Sequence, residues 1–397
     1  MRTLKSRRNV VTKVKIKLAV VFGTRPEAIK LAPVLRQLSS DPRFQPVSIV
    51  TAQHRQMLDQ VLDAFDIRPE HDLGIMRPNQ TLAAIVSQSM ERLDLLFKKI
   101  RPDGVLVQGD TSTTFVASLA AFYNKVPIGH VEAGLRTGDR GEPFPEEVNR
   151  RLTSVLAEWH FAPTTTARGN LLAEGVNPAS IFVTGNTVTD AFGMALRARR
   201  NGQPLIMPKM LSGERLILVT MHRRENQGSP MRSVCLGLRD IVKRFSDVVV
   251  ALPVHLSPSV RDVVLRLLSG VDRIWLSEPL DYLDTAQMIQ RSTLVITDSG
   301  GIQEEAPSLG KPVLVLRNKT ERPEGVQAGT ARLVGTSRST LVQEATRLLS
   351  DSRHYTTMAN AINPYGDGKA AQRIHECLLY VFGRRRAQPV PFVPRST

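Results

Sequence analysis

The chain has 397 residues, 42% of them hydrophobic and 5% aromatic, with a formal net charge of +16. That length exceeds one comfortable core and predicts two domains, and ordinary Gly and Pro counts exclude a disordered or fibrous chain. Seven basic residues without an acid lie in 1–17 and four more in 384–397, so most of the excess sits in the ends, and the body suits an anionic small molecule rather than nucleic acid.

Residues 1–8 lack the apolar segment of a secretory signal, and no run reaches the length of a membrane span, so a cytoplasmic location is expected. Cys235 and Cys377 lie far apart without CxxC or Cys/His spacing, which predicts free thiols and no metal site.

In chain order, a basic leader over 1–15 gives way to a buried-strand run, Ile16 to Phe22. Gly23-Thr24-Arg25-Pro26-Glu27 then turns into a helix through Ile29, Leu31, Val34, Leu35 and Leu38. Neither a GxGxxG fingerprint nor a Walker loop is present. Arg25 instead stands where a strand ends and a helix begins, a place suited to a phosphate oxygen. Lys30, one turn on, reads either as added charge or as an exposed helix lysine.

Val47 to Thr51 predicts a second strand, Ala52 to Met57 opens a helix, and Thr81 to Ile100 is a long apolar-periodic helix. Val105 to Val107 ends in Gln108-Gly109-Asp110, and Thr111 to Tyr123 has helical spacing, so Asp110 is either an N-cap or a ligand group. Val126 to Val131 ends at Glu132, where Ala133-Gly134 follow and capping explains less. Pro145-Glu146-Glu147 opens a helix through Val148, Leu152, Val155 and Leu156, where the dipole also favours acids. Strand carboxyl ends of an open parallel sheet converge on one crevice. Asp110, Glu132 and Glu146, beside His130, Arg136, Arg140 and Arg150, are therefore candidate site residues.

Phe161 to Thr164 and Ile181 to Asn186 predict further strands, and Arg197 to Gly213 reads as a linker. The alternation restarts with Leu216 to Thr220, Val248 to Leu252, Ile274 to Leu276, Leu294 to Thr297 and Val313 to Leu316. The fold class expected is α/β, with two Rossmann-like doubly wound domains over 16–196 and 214–370, an interdomain cleft, a helix over 371–383 and a basic, proline-containing tail over 384–397. His222-Arg223-Arg224 places a histidine and two guanidinium groups after a strand, suited to phosphate or a leaving-group oxygen. Ser299-Gly300-Gly301 opens a helix, where absent Cβ atoms either let backbone N–H groups approach an anion or merely ease the turn.

The runs FGTRPEAIKLAPV, QGDTSTT, HVEAGLRTGD, PFPEEVNR, HRREN and TDSGGIQEEAPSLGKPVLVLR resemble those of the non-hydrolysing UDP-N-acetylglucosamine 2-epimerases, in order from about Lys17 to about Leu379. The resemblance implies the glycosyltransferase-B type of fold and reversible interconversion of UDP-N-acetylglucosamine and UDP-N-acetylmannosamine through 2-acetamidoglucal. No cofactor is expected, the partners are UDP-N-acetylglucosamine and UDP, and a homodimer is implied.

It assigns catalysis to Asp110, Glu132, Glu146 and His222, without saying which acid serves which face of carbon 2. Substrate binding falls to Arg25, Lys30, Ser299, Gly300, Gly301, Glu305 and Arg322, and substrate activation in some relatives to the counterparts of Gln53, Gln56, Arg223 and His255. Closure of a dry cleft is expected to raise the carboxyl pKa values toward neutrality. Asn79 departs from an expected arginine and Thr285 from an expected phenylalanine. A hydrolysing epimerase or a UDP-sugar glycosyltransferase on the same fold are the alternatives.

Overall fold

A computed structural model describes residues 15–51, 55–75, 77, 80–198 and 206–394, and of 55–57 the backbone alone. The basic leader through 14 and residues 199–205 of the linker lie outside the described residues.

The first sheet comprises β1 (Ile16–Phe22), β2 (Phe44–Val50), β3 (His71–Asp72), β4 (Gly104–Gln108), β5 (Ile128–Val131), β6 (Trp159–Ala162) and β7 (Ile181–Val183). The second comprises β8 (Arg215–Thr220), β9 (Val248–Pro253), β10 (Ile274–Ser277), β11 (Leu294–Thr297), β12 (Val313–Val315) and β13 (Ala331–Leu333). The orders are β3-β2-β1-β4-β5-β6-β7 and β10-β9-β8-β11-β12-β13, and the paired strands are parallel throughout.

These strands form because their β-branched and aliphatic runs can be buried on both faces. In β1, Leu18, Val20 and Phe22 join one apolar cluster, and Ala19 and Val21 join another on the opposite face. The first of these clusters continues into the second half through Leu216, Leu218, Tyr282 and Met288, so apolar packing holds the halves together. The order in which strands are added to each sheet reverses once, between β1 and β4 and between β8 and β11. Ligands bind at such switch points, beyond the strand carboxyl ends.

Two short edge strands, β3 and β13, were not expected from the sequence, being too brief to show a period. β6 begins earlier than the predicted Phe161 because buried His160 occupies its interior, its Nε2 donating to the Ser154 carbonyl at 3.0 Å. The last helix, Ala370–Val381, returns to the first half. His375 Nε2 lies 2.7 Å from Asp41 Oδ2, and the Asp190 carboxylate accepts from the amides of Ala370 (3.1 Å) and Ala371 (2.9 Å). Beyond it the tail is docked as well: Phe392 is buried and its N–H donates to Val183 O at 2.8 Å.

Candidate active site

The two switch points face each other across a cleft of about 720 Å³. Arg25, Lys30, Asp110, Glu132 and Glu146 line it from the first half, and His222, Ser299, Gly300, Gly301, Glu305 and Arg322 from the second. Arg223, His255 and Thr285 line it too, with the Thr285 hydroxyl turned to the Asp281 carbonyl at 2.7 Å. Gln53 and Asn79 lie outside the described residues, as does the side chain of Gln56.

Glu27 locks the first switch point. Its carboxylate accepts from the amides of Gly23 (2.9 Å) and Thr24 (2.7 Å) and from the hydroxyls of Thr24, Thr111 and Thr114 at 2.8, 2.6 and 2.9 Å. It thereby clamps the loop after β1 to the loop after β4. A Cβ on Gly23 would come within 2.1 Å of Thr51 Oγ1 and 2.4 Å of Thr113 Oγ1, so this crossing admits only glycine. The Thr24-x-x-Glu27 spacing is that of a capping box and was the signal available in the sequence.

Asp110 is not a helix cap. Thr111 is the N-cap of helix Ser112–Tyr123, its hydroxyl accepting from Thr114 N at 3.2 Å. The Asp110 carboxylate faces the cleft and receives Arg150 Nη2 at 2.5 Å. Burial raises its pKa, and the Arg150 charge opposes the rise. Two further contacts hold the turn: His130 Nε2 donates to Gly109 O at 2.7 Å and Asn149 Nδ2 to Asp110 O at 3.0 Å. His130 is itself fully buried, and burial drives its pKa down to about 3, so it acts as a neutral strut behind the cleft. Arg136 pairs instead with Glu174 at 2.6 Å, and exposed Arg140 does not reach the cleft.

Glu132 has a left-handed backbone, φ 65°. Its Oε1 receives Lys30 Nζ at 2.5 Å and Asn186 Nδ2 at 2.8 Å, and its Oε2 receives Gln108 Nε2 at 2.5 Å. Burial alone would raise its pKa, but the charges of Lys30 and Arg322 outweigh burial and hold it below the usual range. This runs against the expectation that all the cleft acids shift toward neutrality, because Glu132 is buried together with its counter-charges.

Of the two acids opening helix Glu146–Leu156, Glu147 is fully buried and structural, accepting from Thr137 N at 3.1 Å and pairing with Arg150 and Arg151 at 3.3 and 3.2 Å. Half-buried Glu146 has no side-chain partner among the described residues and is turned to the cleft.

In the second half, His222 Nδ1 lies 3.2 Å from Asp298 Oδ1. The other Asp298 oxygen accepts from the amides of His222 and Arg223 at 2.9 Å each and from Asn226 Nδ2 at 3.0 Å, so the aspartate fixes both loop and ring. His222 stacks on His255 with ring centroids 5.8 Å apart. A Cβ on Gly300 or Gly301 would meet nothing within 4 Å, so neither glycine is there to ease packing, and both leave backbone open to the cleft. Tyr282 OH donates to Glu305 Oε1 at 3.0 Å, and burial raises the Glu305 pKa to about 7. Arg322 Nε donates to buried Glu304, whose other oxygen receives Asn186 Nδ2 at 2.5 Å. Asn186, Glu304 and Tyr282 carry no local signature, since their partners are remote in sequence.

Carboxylates from one Rossmann-like half facing cations and open backbone from the other define an enzyme of the glycosyltransferase-B architecture, with a cleft for an anionic, hydroxyl-rich ligand. The chain belongs to the UDP-N-acetylglucosamine 2-epimerase family, whose model matches residues 36–379. It is 53% identical over 378 residues to UDP-N-acetylglucosamine 2-epimerase of Bacillus subtilis, covering 95% of this chain and 99% of that one. It is 51% identical over 369 residues to the Escherichia coli K12 enzyme of the same name, covering 91% and 98%. The UDP-GlcNAc 2-epimerase of Neisseria meningitidis, solved bound to UDP-GlcNAc, superposes with a TM-score of 0.83 at 47% identity, covering 91% of this chain and 99% of that one.

Proposed function

We propose that the chain is a non-hydrolysing UDP-N-acetylglucosamine 2-epimerase, interconverting UDP-N-acetylglucosamine and UDP-N-acetylmannosamine. Carbon 2 of the sugar has no adjacent carbonyl, so its hydrogen is not acidic enough for simple removal. A base takes that proton as the bond from carbon 1 to the UDP oxygen breaks. The electrons form the double bond of 2-acetamidoglucal, and UDP leaves as the anion. An acid then protonates carbon 2 from the opposite face, and the UDP oxygen returns to carbon 1.

Such a route needs acid and base groups flanking the ring and cations around the departing diphosphate. The observation that carries the reading is that Asp110, Glu132 and Glu146 share one cleft with Arg25, His222 and the open Ser299-Gly300-Gly301 turn. Glu305 is assigned to the ribose hydroxyls and Arg322 to the nucleotide side of the cleft.

The test is incubation with UDP-N-acetylglucosamine in heavy water. Accumulating UDP-N-acetylmannosamine with deuterium at carbon 2 supports the reading. Free N-acetylmannosamine with stoichiometric UDP would indicate a hydrolysing enzyme, and unlabelled sugar nucleotide without product would reject epimerisation.

We further propose a homodimer formed through helices Leu82–Ile100, Ser112–Tyr123 and Glu146–Leu156, which pack side by side and leave Leu95, Phe122, Tyr123 and Val155 exposed. Val155→Glu is expected to shift the sedimenting species from dimer to monomer, and a monomeric wild type would contradict it. Among the described residues no helix is long and apolar enough to cross a membrane, and a cytoplasmic location fits a soluble nucleotide-sugar substrate.

A further inference from the structure

We infer that Asn186 is a positioning residue for Glu132: one side-chain amide holds Glu132 of the first half and Glu304 of the second, so the carboxylate is oriented by way of the opposite half. The inference rests on the reading that Glu132 serves the chemistry at carbon 2.

Asn186 follows β7 as the N-cap of helix Thr187–Arg197, and every polar atom of its side chain is engaged. Oδ1 accepts from Val188 N at 3.2 Å. Nδ2 donates to Glu132 Oε1 at 2.8 Å and to Glu304 Oε2 at 2.5 Å. The amide does not sit the other way round, because Oδ1 would then face Glu132, which Lys30 and Arg322 hold ionised and which can only accept. Its own backbone is anchored to a later segment of the chain, with Asn186 N donating to Tyr365 O at 2.7 Å. The Tyr365 hydroxyl in turn donates to Arg322 O at 3.0 Å and accepts from Gly325 N at 2.8 Å. A Cβ on Gly366 would come within 2.4 Å of Thr189 Oγ1, so glycine lets that segment lie against the cap. Asn186 therefore does not swing freely toward either acid.

The residue type follows from the electrostatics. Glu132 faces Lys30, Asp110, His130, Arg322 and, through Asn186, Glu304. Two buried carboxylates here meet two cations, and the group between the acids must be neutral, give each acid an N–H and still cap a helix. Asparagine does all three. Aspartate caps equally well but adds a third negative charge, and serine caps but cannot donate to both acids. A merely structural cap tolerates either replacement.

The experiment is the pH profile of kcat/KM, with kcat, KM and thermal melts, for the full chain and for Asn186→Ser and Asn186→Asp. Each variant loses a donor to ionised Glu132 and Asp adds charge, so the limb reporting Glu132 moves to higher pH by about one unit, further in Asn186→Asp. The kcat falls about tenfold to hundredfold, the worth of one hydrogen bond to a charged group, and KM changes little. Both variants keep a cap oxygen, so melting temperatures fall by only a few degrees, more in Asn186→Asp, as expected when the Glu132 carboxylate stabilises the folded state less.

Unmoved limbs in both variants overturn the inference whatever the melts show. Should either fail to fold, Glu304→Gln reads the same coupling with the opposite sign, since removing the second carboxylate moves that limb to lower pH. Unmoved limbs there are equally fatal. An active wild type with unmoved variants sinks this inference alone, whereas a wild type without epimerisation sinks the functional reading and this inference with it.

Discussion

Lys30 sits 2.5 Å from Glu132 in a pair whose side chains are only 14% and 5% exposed, and Lys30→Met removes the nearer of the two cations holding that carboxylate. An opposite charge at this range lowers a carboxyl pKa by about 1–3 units, each unit worth about 1.4 kcal/mol. Arg322 remains, as do the N–H donors of Gln108 and Asn186, so the loss falls toward the lower end. The pH–rate limb reporting Glu132 is expected to rise by about 1–2 units.

Stability at pH 7 should drop by about 3 kcal/mol, the low end for breaking a buried pair. At about 2–4 °C per kcal/mol for a domain of this size, melting falls by about 6–12 °C. The sign with pH follows from the depressed folded value. The stabilisation exists above the ordinary carboxyl pKa and is lost as pH falls through the lower folded one, so the gap between wild type and variant starts to narrow near pH 4 and closes only as pH falls to about 2. Melts from neutral to acid pH, with pH–rate profiles beside them, read both quantities. A melting difference that persists undiminished at acid pH, or a fall in kcat with unmoved limbs, would refute the assignment of that charge to Glu132.

Gly301→Ala separates packing from binding: a Cβ there meets nothing and the backbone is ordinary, so stability should hold or rise by about 0.4–1 kcal/mol. The methyl enters the cleft, and KM for UDP-N-acetylglucosamine should rise about tenfold or more; an unchanged KM would leave the glycine pair without a ligand role. Glu305, with its pKa raised to about 7 by burial, accepts from ribose hydroxyls more strongly once ionised. Calorimetry with UDP-glucose, whose diphosphate does not titrate near neutrality, should show affinity rising about tenfold from pH 6 to pH 8. Tyr282→Phe removes a donor to the carboxylate and should move that rise to higher pH. A flat pH dependence would contradict the role.

The two-sheet architecture was legible because parallel strands buried on both faces are written as runs such as Ile16 to Phe22 and Leu294 to Thr297, whose bounds the structure reproduces. Edge strands of two or three residues leave no such run, and a histidine inside β6 masked its start. Asp110, Glu132 and Glu146 were visible as acids at strand ends and a helix start, positions that topology alone brings to one crevice. What they touch was not visible. Asp110 reads as a cap until Thr111 is seen to do that work, and Glu146 and Glu147 are indistinguishable until one proves buried against Arg150 and Arg151. Lys30 looks like any helix lysine because Glu132 lies far along the chain. The Asn186 bridge is more remote still, joining positions 132, 186 and 304, whose proximity exists only once both halves and the returning Tyr365 segment are in place.

Breaking and remaking the bond between carbon 1 and the UDP oxygen is the step every assigned residue serves, and positional isotope exchange observes it. With oxygen-18 placed in the bridge between carbon 1 and the β-phosphorus, rotation of released UDP in the cleft should scramble the label into the non-bridging β-phosphate positions of recovered sugar nucleotide, at a rate comparable to epimerisation. Label that stays in the bridge while UDP-N-acetylmannosamine accumulates would contradict an elimination in which the released UDP turns in the cleft.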